Sequence, residues 1–158
     1  MRIRSIAAVL AATSLTLAAC SQTDEAATKV DENPTGLVVT NARLMLPPVK
    51  GNPAAVYFDL KNDGTRGVAV RAADVEGAKS AVIHGMMEYG GKNTMVELVP
   101  TMIKPGETVQ FAPGGNHVMA FDLSPELAAG AKTEMTLTIA GGDKVSAEVQ
   151  VMAAGGER

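Results

Sequence analysis

From Leu37 onward, apolar and polar residues alternate with a period near two, in short runs that stop at Gly, Pro, Asn or Asp. Successive side chains of a strand face opposite ways, so this pattern predicts half-buried strands. They are predicted over LVVTNARL (37–44), AAVYFDLKN (54–62), GVAVRAAD (67–74), KSAVIH (79–84) and TMVELV (94–99). Further strands are predicted over ETVQFA (107–112), HVMAFDL (117–123), EMTLTIA (134–140) and KVSAEVQVM (144–152). Between them stand turn formers: Asn62-Asp63-Gly64, Pro105-Gly106, Pro113-Gly114-Gly115 and Gly141-Gly142-Asp143. No segment sustains a helical period, although Pro125 to Ala131 is long enough for one turn of helix. About nine closely spaced strands, with no internal repeat, predict a single all-β domain built as an antiparallel β-sandwich.

The first twenty residues have a different character. Arg2 and Arg4 precede an apolar run, Ile6 to Ala19, that is short for a membrane span. Residues 1–19 therefore read as a signal peptide. Leu17-Ala18-Ala19-Cys20 resembles a bacterial lipoprotein signal, which implies cleavage before Cys20 and a lipid on its sulfur. An ordinary signal peptide that leaves Cys20 as a thiol is the alternative. Ser21, in place of Asp, favours outer-membrane sorting within that resemblance. Residues 20–36 are polar and acidic with no apolar period, the composition of a flexible tether. The domain proper is expected over 37–152, and 153–158 form a frayed tail. The expected location is the periplasm, with the lipid anchor as the only contact with membrane.

Charge and cysteine content then narrow the chemistry. The formal charge is −3, and −5 without Arg2 and Arg4, so no basic surface invites nucleic acid. The single cysteine, Cys20, lies outside the domain. That excludes a disulfide, a zinc-thiolate site and a cysteine nucleophile there. It also excludes a blue-copper electron carrier, which needs a thiolate beside two imidazoles. No Ser-His-Asp spacing, HExxH motif or phosphate-binding glycine loop is present, so no enzyme is expected.

The two histidines each have methionine close by, in VIHGMMEYGGKNTM (82–95) and GGNHVMAF (114–121). Alternation puts Met95 on one strand face with Asn93 and Glu97, while Val96 and Leu98 take the other. A thioether on a polar face is not doing the usual core job. His117 and Met119 share a face with Phe121 and Leu123, so a core role is more credible there. His84 is expected to close its strand at Gly85, leaving MMEYGGKN as a glycine-rich loop. Met135 alternates with Leu137 and Ile139 and is predicted in the core, Met152 likewise; Met45 and Met102 fit core or surface. Any one of these residues is more often structural than a ligand. Together, two imidazoles and two thioethers form a soft donor set that suits Cu(I) and suits zinc, magnesium or calcium poorly.

The order His84, ten residues, Met95, twenty-one residues, His117, one residue, Met119 resembles the H-x10-M-x21-H-x-M pattern of the periplasmic copper chaperones called PCu(A)C. Met86 matches their accessory methionine; Met87 stays unassigned. KPGETVQFAPGGNHVMAFDL is similar to the family's turn, strand, Pro-Gly-Gly and His-x-Met run, and ELAAGAKTEMTLTI and AAVYFDLKNDG extend the likeness. The resemblance implies a cupredoxin-like sandwich binding one Cu(I) through His84, Met95, His117 and Met119. It implies copper-donor and copper-acceptor proteins as partners, with delivery toward the binuclear copper centre of cytochrome c oxidase. A lipoprotein that sequesters copper or confers tolerance, without delivery, is the alternative. Two departures stand out: Gly85 where the family commonly has an acidic residue, and the absence of a His- and Met-rich tail.

Overall fold

The computed structural model describes residues 35–98 and 100–156. The predicted signal peptide, Cys20 and the tether up to residue 34 lie outside the described residues, as do 157 and 158. Ten strands follow one another: β1 (Leu37–Met45), β2 (Ala54–Asn62), β3 (Val68–Val75), β4 (Ser80–Tyr89) and β5 (Lys92–Glu97). Then come β6 (Thr101–Ile103), β7 (Thr108–Phe111), β8 (His117–Phe121), β9 (Lys132–Ile139) and β10 (Lys144–Met152). No helix occurs among the described residues. Pro125 to Ala131 makes tight turns instead, closed by Leu127 N–H to Ser124 O at 3.1 Å and Ala131 N–H to Ala128 O at 3.0 Å.

The strands join in the order β5-β4-β8-β2-β1-β10-β9-β3-β6, with β7 beside the second half of β2. β3 and β4 are far apart in that order yet pack together, so the sheet rolls around a common core. One pairing departs from the antiparallel expectation. β1 and β10 run parallel, while every other strand pairing is antiparallel.

The core follows the alternation. Ala54, Val56, Phe58 and Leu60 of β2 all point inward, and so do Met135, Leu137 and Ile139 of β9. Phe58 and Phe111 stack at its centre, ring centroids 4.2 Å apart and 12° from coplanar. Each large side chain buried this way contributes about 1.5–3 kcal/mol. The parity of β10 is set by Val145, Val149 and Val151, which are buried. Met152 therefore falls on the outer face, half-buried, and not in the core as its apolarity suggested. One polar side chain is buried with full hydrogen bonding. Asn62 donates to Arg66 O at 2.8 Å and Ile103 O at 3.0 Å, and accepts from Gly64 N–H at 3.0 Å, pinning the turn after β2 to the far sheet edge.

The stretch after His84 differs from expectation. β4 does not stop at Gly85 but runs on to Tyr89, so His84 lies in mid-strand. MMEYGGKN is not a loop. It is the end of a hairpin, turned by Gly90 and Gly91 at φ of 60° and 75°, the left-handed pair that a two-residue hairpin turn demands. β6 was not foreseen, since Thr101–Ile103 is too short to show a period.

Gly85 is buried on the inner face of β4. A Cβ there would lie 2.9 Å from Leu98 Cδ2 and 3.0 Å from Asn116 Oδ1, closer than side chains approach. Any side chain at this position would have to displace the ends of Leu98 and Asn116. Gly85→Ala should accordingly overpack the site and destabilise the domain by about 1–3 kcal/mol in urea denaturation. A wild-type midpoint would mean that Leu98 gives way without cost.

Candidate metal centre

Three neighbouring strands, β5, β4 and β8, carry all the candidate residues of the domain. Along β4, Ile83 and Gly85 are buried, which turns Val82, His84 and Met86 outward. In β8, Val118 and Ala120 are fully buried, which turns His117 and Met119 outward. The core therefore lies on the Val118 and Ala120 side. The expectation that His117 and Met119 share an inward apolar face with Phe121 is reversed.

Register then sets who meets whom. His84 pairs with His117 on one side and Glu97 on the other; Met86 pairs with Met95, and Val82 with Met119. Directly paired residues share a face and hold their Cβ atoms about 4.5–5.5 Å apart. His84, Met86, Met95, His117 and Met119 thus stand together on one outer corner of the sheet, with Glu97 at the rim. The imidazoles of His84 and His117 meet edge to face, centroids 5.9 Å apart and 85° between planes. At metal–nitrogen lengths of about 2 Å, one ion can reach a nitrogen of each ring.

The two histidines are prepared differently. His117 is only 7% exposed, and its Nδ1 lies 2.9 Å from Gly115 O. A carbonyl only accepts, so Nδ1 carries the proton and Nε2 keeps its lone pair. The Pro-Gly-Gly turn supplies that carbonyl: Gly114 adopts φ 78°, and Gly115 N–H donates to Ala112 O at 3.0 Å. Tyr57 flanks the ring at 6.3 Å between centroids, and the Arg43 guanidinium lies over Tyr57 in turn, 5.4 Å from its centre. His84 Nδ1, by contrast, is withdrawn from solvent and has no hydrogen-bond partner. Buried polar atoms without partners are rare in folded proteins, and a bound ion is one way to satisfy such an atom. Burial holds the His84 pKa below its ordinary value of 6.5; the neighbouring His117 ring adds to the lowering, and Glu97 opposes it.

The thioethers grade outward. Met119 and Met86 are half-buried, while Met95, on the edge strand, is 49% exposed. Met87 is exposed and points to the opposite face from Met86. Among the described residues, no three His, Cys, Asp or Glu converge as a metal-holding group. Glu97 and Tyr57 are the neighbours that sequence reasoning missed as such. Alternation put Glu97 on the face of Met95, but nothing in the sequence reveals that it lies across from His84.

Two depressions of about 600 and 660 Å³ lie away from this corner, one lined by Arg66, Met102 and Asp143, the other by Leu46, Pro48 and Leu123.

Comparison with known proteins agrees with this architecture. A relative described as “Putative lipoprotein Lxx21020”, from Leifsonia xyli subsp. xyli, is 34% identical over 98 residues, covering 61% of this chain and 59% of its own length. The apo PCuAC domain of PmoF1 superposes with a TM-score of 0.60 at 28% identity, over 75% of this chain and 94% of that domain. The copper-bound PCuAC domain of PmoF2 gives 0.60 at 21% identity, over 75% and 93%. The fold is thus that of the cupredoxin-like PCuAC domains. Residues 37–151 match the family model described as “Putative lipoprotein LpqE-like”, and the chain belongs to that LpqE-like family.

Proposed function

We propose that this protein is a copper chaperone of the cell envelope, not a catalyst, and that it binds one Cu(I) through His84, Met95, His117 and Met119, with Met86 as an accessory donor. The observation that carries the reading is the register of β5, β4 and β8, which gathers both histidines of the chain and three of its methionines on one face. The copper held by the PmoF2 domain of the same fold supports it.

The chemistry follows from the donors. Thioether sulfur is soft, neutral and has no proton to lose, so it favours Cu(I) over harder ions and leaves the bound ion its positive charge. His117, oriented by Gly115 O, offers Nε2 without rearrangement. His84 offers the nitrogen that lacks a partner. Met95, on an exposed edge, is the donor that an incoming ligand can displace first. That exposure favours handover over sequestration, because a store gains from enclosing its ion. An acceptor presenting thiolates would take the ion by ligand exchange, and the binuclear copper centre of cytochrome c oxidase is such a destination.

Lipid on Cys20 would hold the domain at a membrane, with outer-membrane sorting as read from Ser21.

Three measurements test the proposal. Anaerobic titration with Cu(I) against a chromophoric chelator should show one tight site per chain, lost in His84→Ala and in His117→Ala. Failure to compete with the chelator would sink the copper reading. Met95→Leu should keep the fold, because the volumes match and the side chain is half exposed, yet weaken Cu(I) binding through loss of one sulfur. Equal affinity would remove Met95 from the site. The third test is pH. Because the folded His84 pKa lies below 6.5, the unfolded chain takes up the proton first as pH falls. The apo domain should hold its full stability above pH 6.5 and lose some as pH drops through the lowered folded value, a loss that His84→Gln reduces. Copper should leave over the same acid range, since protons compete for the imidazoles and not for the thioethers. An apo melting temperature equally pH-sensitive in His84→Gln would detach the effect from His84.

A further inference from the structure

A second group of thioethers lies on the same outer face, beyond the site just described. Met119 pairs with Ala55 of β2, Ala55 pairs with Met45 of β1, and Met45 pairs with Met152 of β10. The inner neighbours confirm the parity, since Leu44, Val56, Val118 and Val151 are all buried. Met119, Met45 and Met152 therefore form one transverse row, interrupted only by the small side chain of Ala55. With strands about 4.8 Å apart, Met45 stands about 10 Å from Met119, and Met152 one strand further. Met45 and Met152 are both half-buried, in reach of solvent but absent from the core. Their backbones are fixed: Leu46 N–H donates to Met152 O at 3.0 Å, holding the two strand ends in register.

Strand ends of this kind have no packing need for two methionines side by side on an outer face. Branched residues fit a strand surface better, and flexible thioethers fit a site that must adapt. Arg43, two residues before Met45 on this face, leans over the Tyr57 ring, with Nη1 3.4 Å from Asn41 O. We propose that Met45 and Met152 form an auxiliary site for a soft monovalent ion, Cu(I) or Ag(I), held by two thioethers and placed to pass the ion across Ala55 to Met119. The transfer role rests on the copper reading above; binding of a soft ion to the pair does not. Two neutral sulfurs with no imidazole make a weaker site than the histidine corner, so it fills second and empties first.

The test uses the full chain carrying Cys20→Ser, so that no thiolate competes, with its methionine methyls labelled with carbon-13. Ag(I) serves as the redox-inert probe, added stepwise and followed by methyl NMR. The first equivalent should move the Met95 and Met119 methyls, and the second those of Met45 and Met152. The second phase should be lost in Met45→Leu/Met152→Leu, with the first unchanged. Met102 is the control: it is 58% exposed, on β6 at the opposite sheet edge, with no methionine paired to it. Met45 and Met152 methyls that stay still at excess Ag(I), or that shift only in step with Met102, overturn the auxiliary site. A first equivalent that leaves Met95 and Met119 unmoved, while Met45 and Met152 respond, would instead overturn the primary copper reading and leave the auxiliary site standing.

Discussion

The inward packing of Val118 and Ala120 is the constraint on which the outer face of β8 depends. Both are fully buried, and a strand has only two faces. Once they are committed to the core, His117 and Met119 must stand outside. β4 is bound by the same rule: Ile83 is buried and pairs with Val118, so His84 is carried outward beside His117. A slip of one residue in either strand would turn Ile83 or Val118 away from the core and an imidazole into it, losing about 1.5–3 kcal/mol for the apolar side chain before the polar one is counted. The arrangement of the candidate ligands is thus enforced by apolar burial on the opposite face. No ion is needed to organise it.

Within that arrangement the two halves of the corner differ. The β8 half is set in advance. The Gly115 carbonyl orients His117, and the Pro-Gly-Gly turn that supplies it is braced by its own hydrogen bond to Ala112. The half built from β4 and β5 is less settled. His84 has a buried nitrogen without a partner, and Met95 stands on an edge strand with one neighbour only. Rigid donors on one side and adaptable donors on the other allow an ion to be held by the first while the second exchange. Gly85 lets β4 pass close to the side-chain ends of Leu98 and Asn116, which a Cβ at that position would have to displace.

Most strands were legible in the sequence because alternation is local, and every predicted strand has its counterpart. The two glycines after Tyr89 misled because they suggest a loop as readily as a hairpin turn, and only the pairing of Met86 with Met95 decides for the hairpin. The face of β8 was misjudged for a physical reason. His117, Met119 and Phe121 outweigh Val118 and Ala120 in apolar bulk, yet it is Val118 and Ala120 that are fully buried, with Val118 paired to the buried Ile83. Met152 was placed inside on its chemistry alone, although the spacing of Val145, Val149 and Val151 assigns that face to the valines. The four candidate ligands were legible through a resemblance in spacing. Their neighbours, Glu97 and Tyr57, were not, because cross-strand register is a nonlocal property that no short motif encodes.

Charge along the neighbouring transverse row, the one through both imidazoles, gives the corner a direction. Glu97, His84, His117, Tyr57, Arg43 and Gln150 cross five strand boundaries in order, with the carboxylate at the β5 edge and the guanidinium toward the far side. A monovalent cation lowers its energy by approaching Glu97 and raises it by approaching Arg43. Solvent screens both effects on an exposed face, so they bias the ion without trapping it. The bias runs toward the edge strand, which also carries the most exposed candidate donor, Met95. On the proposed reading, an acceptor approaching that edge would meet the ion at Met95, its most exposed donor. A surface that must take up and surrender the same ion is better served by such a shallow gradient than by a deep pocket, because whatever binding free energy enclosure adds must be overcome again at release.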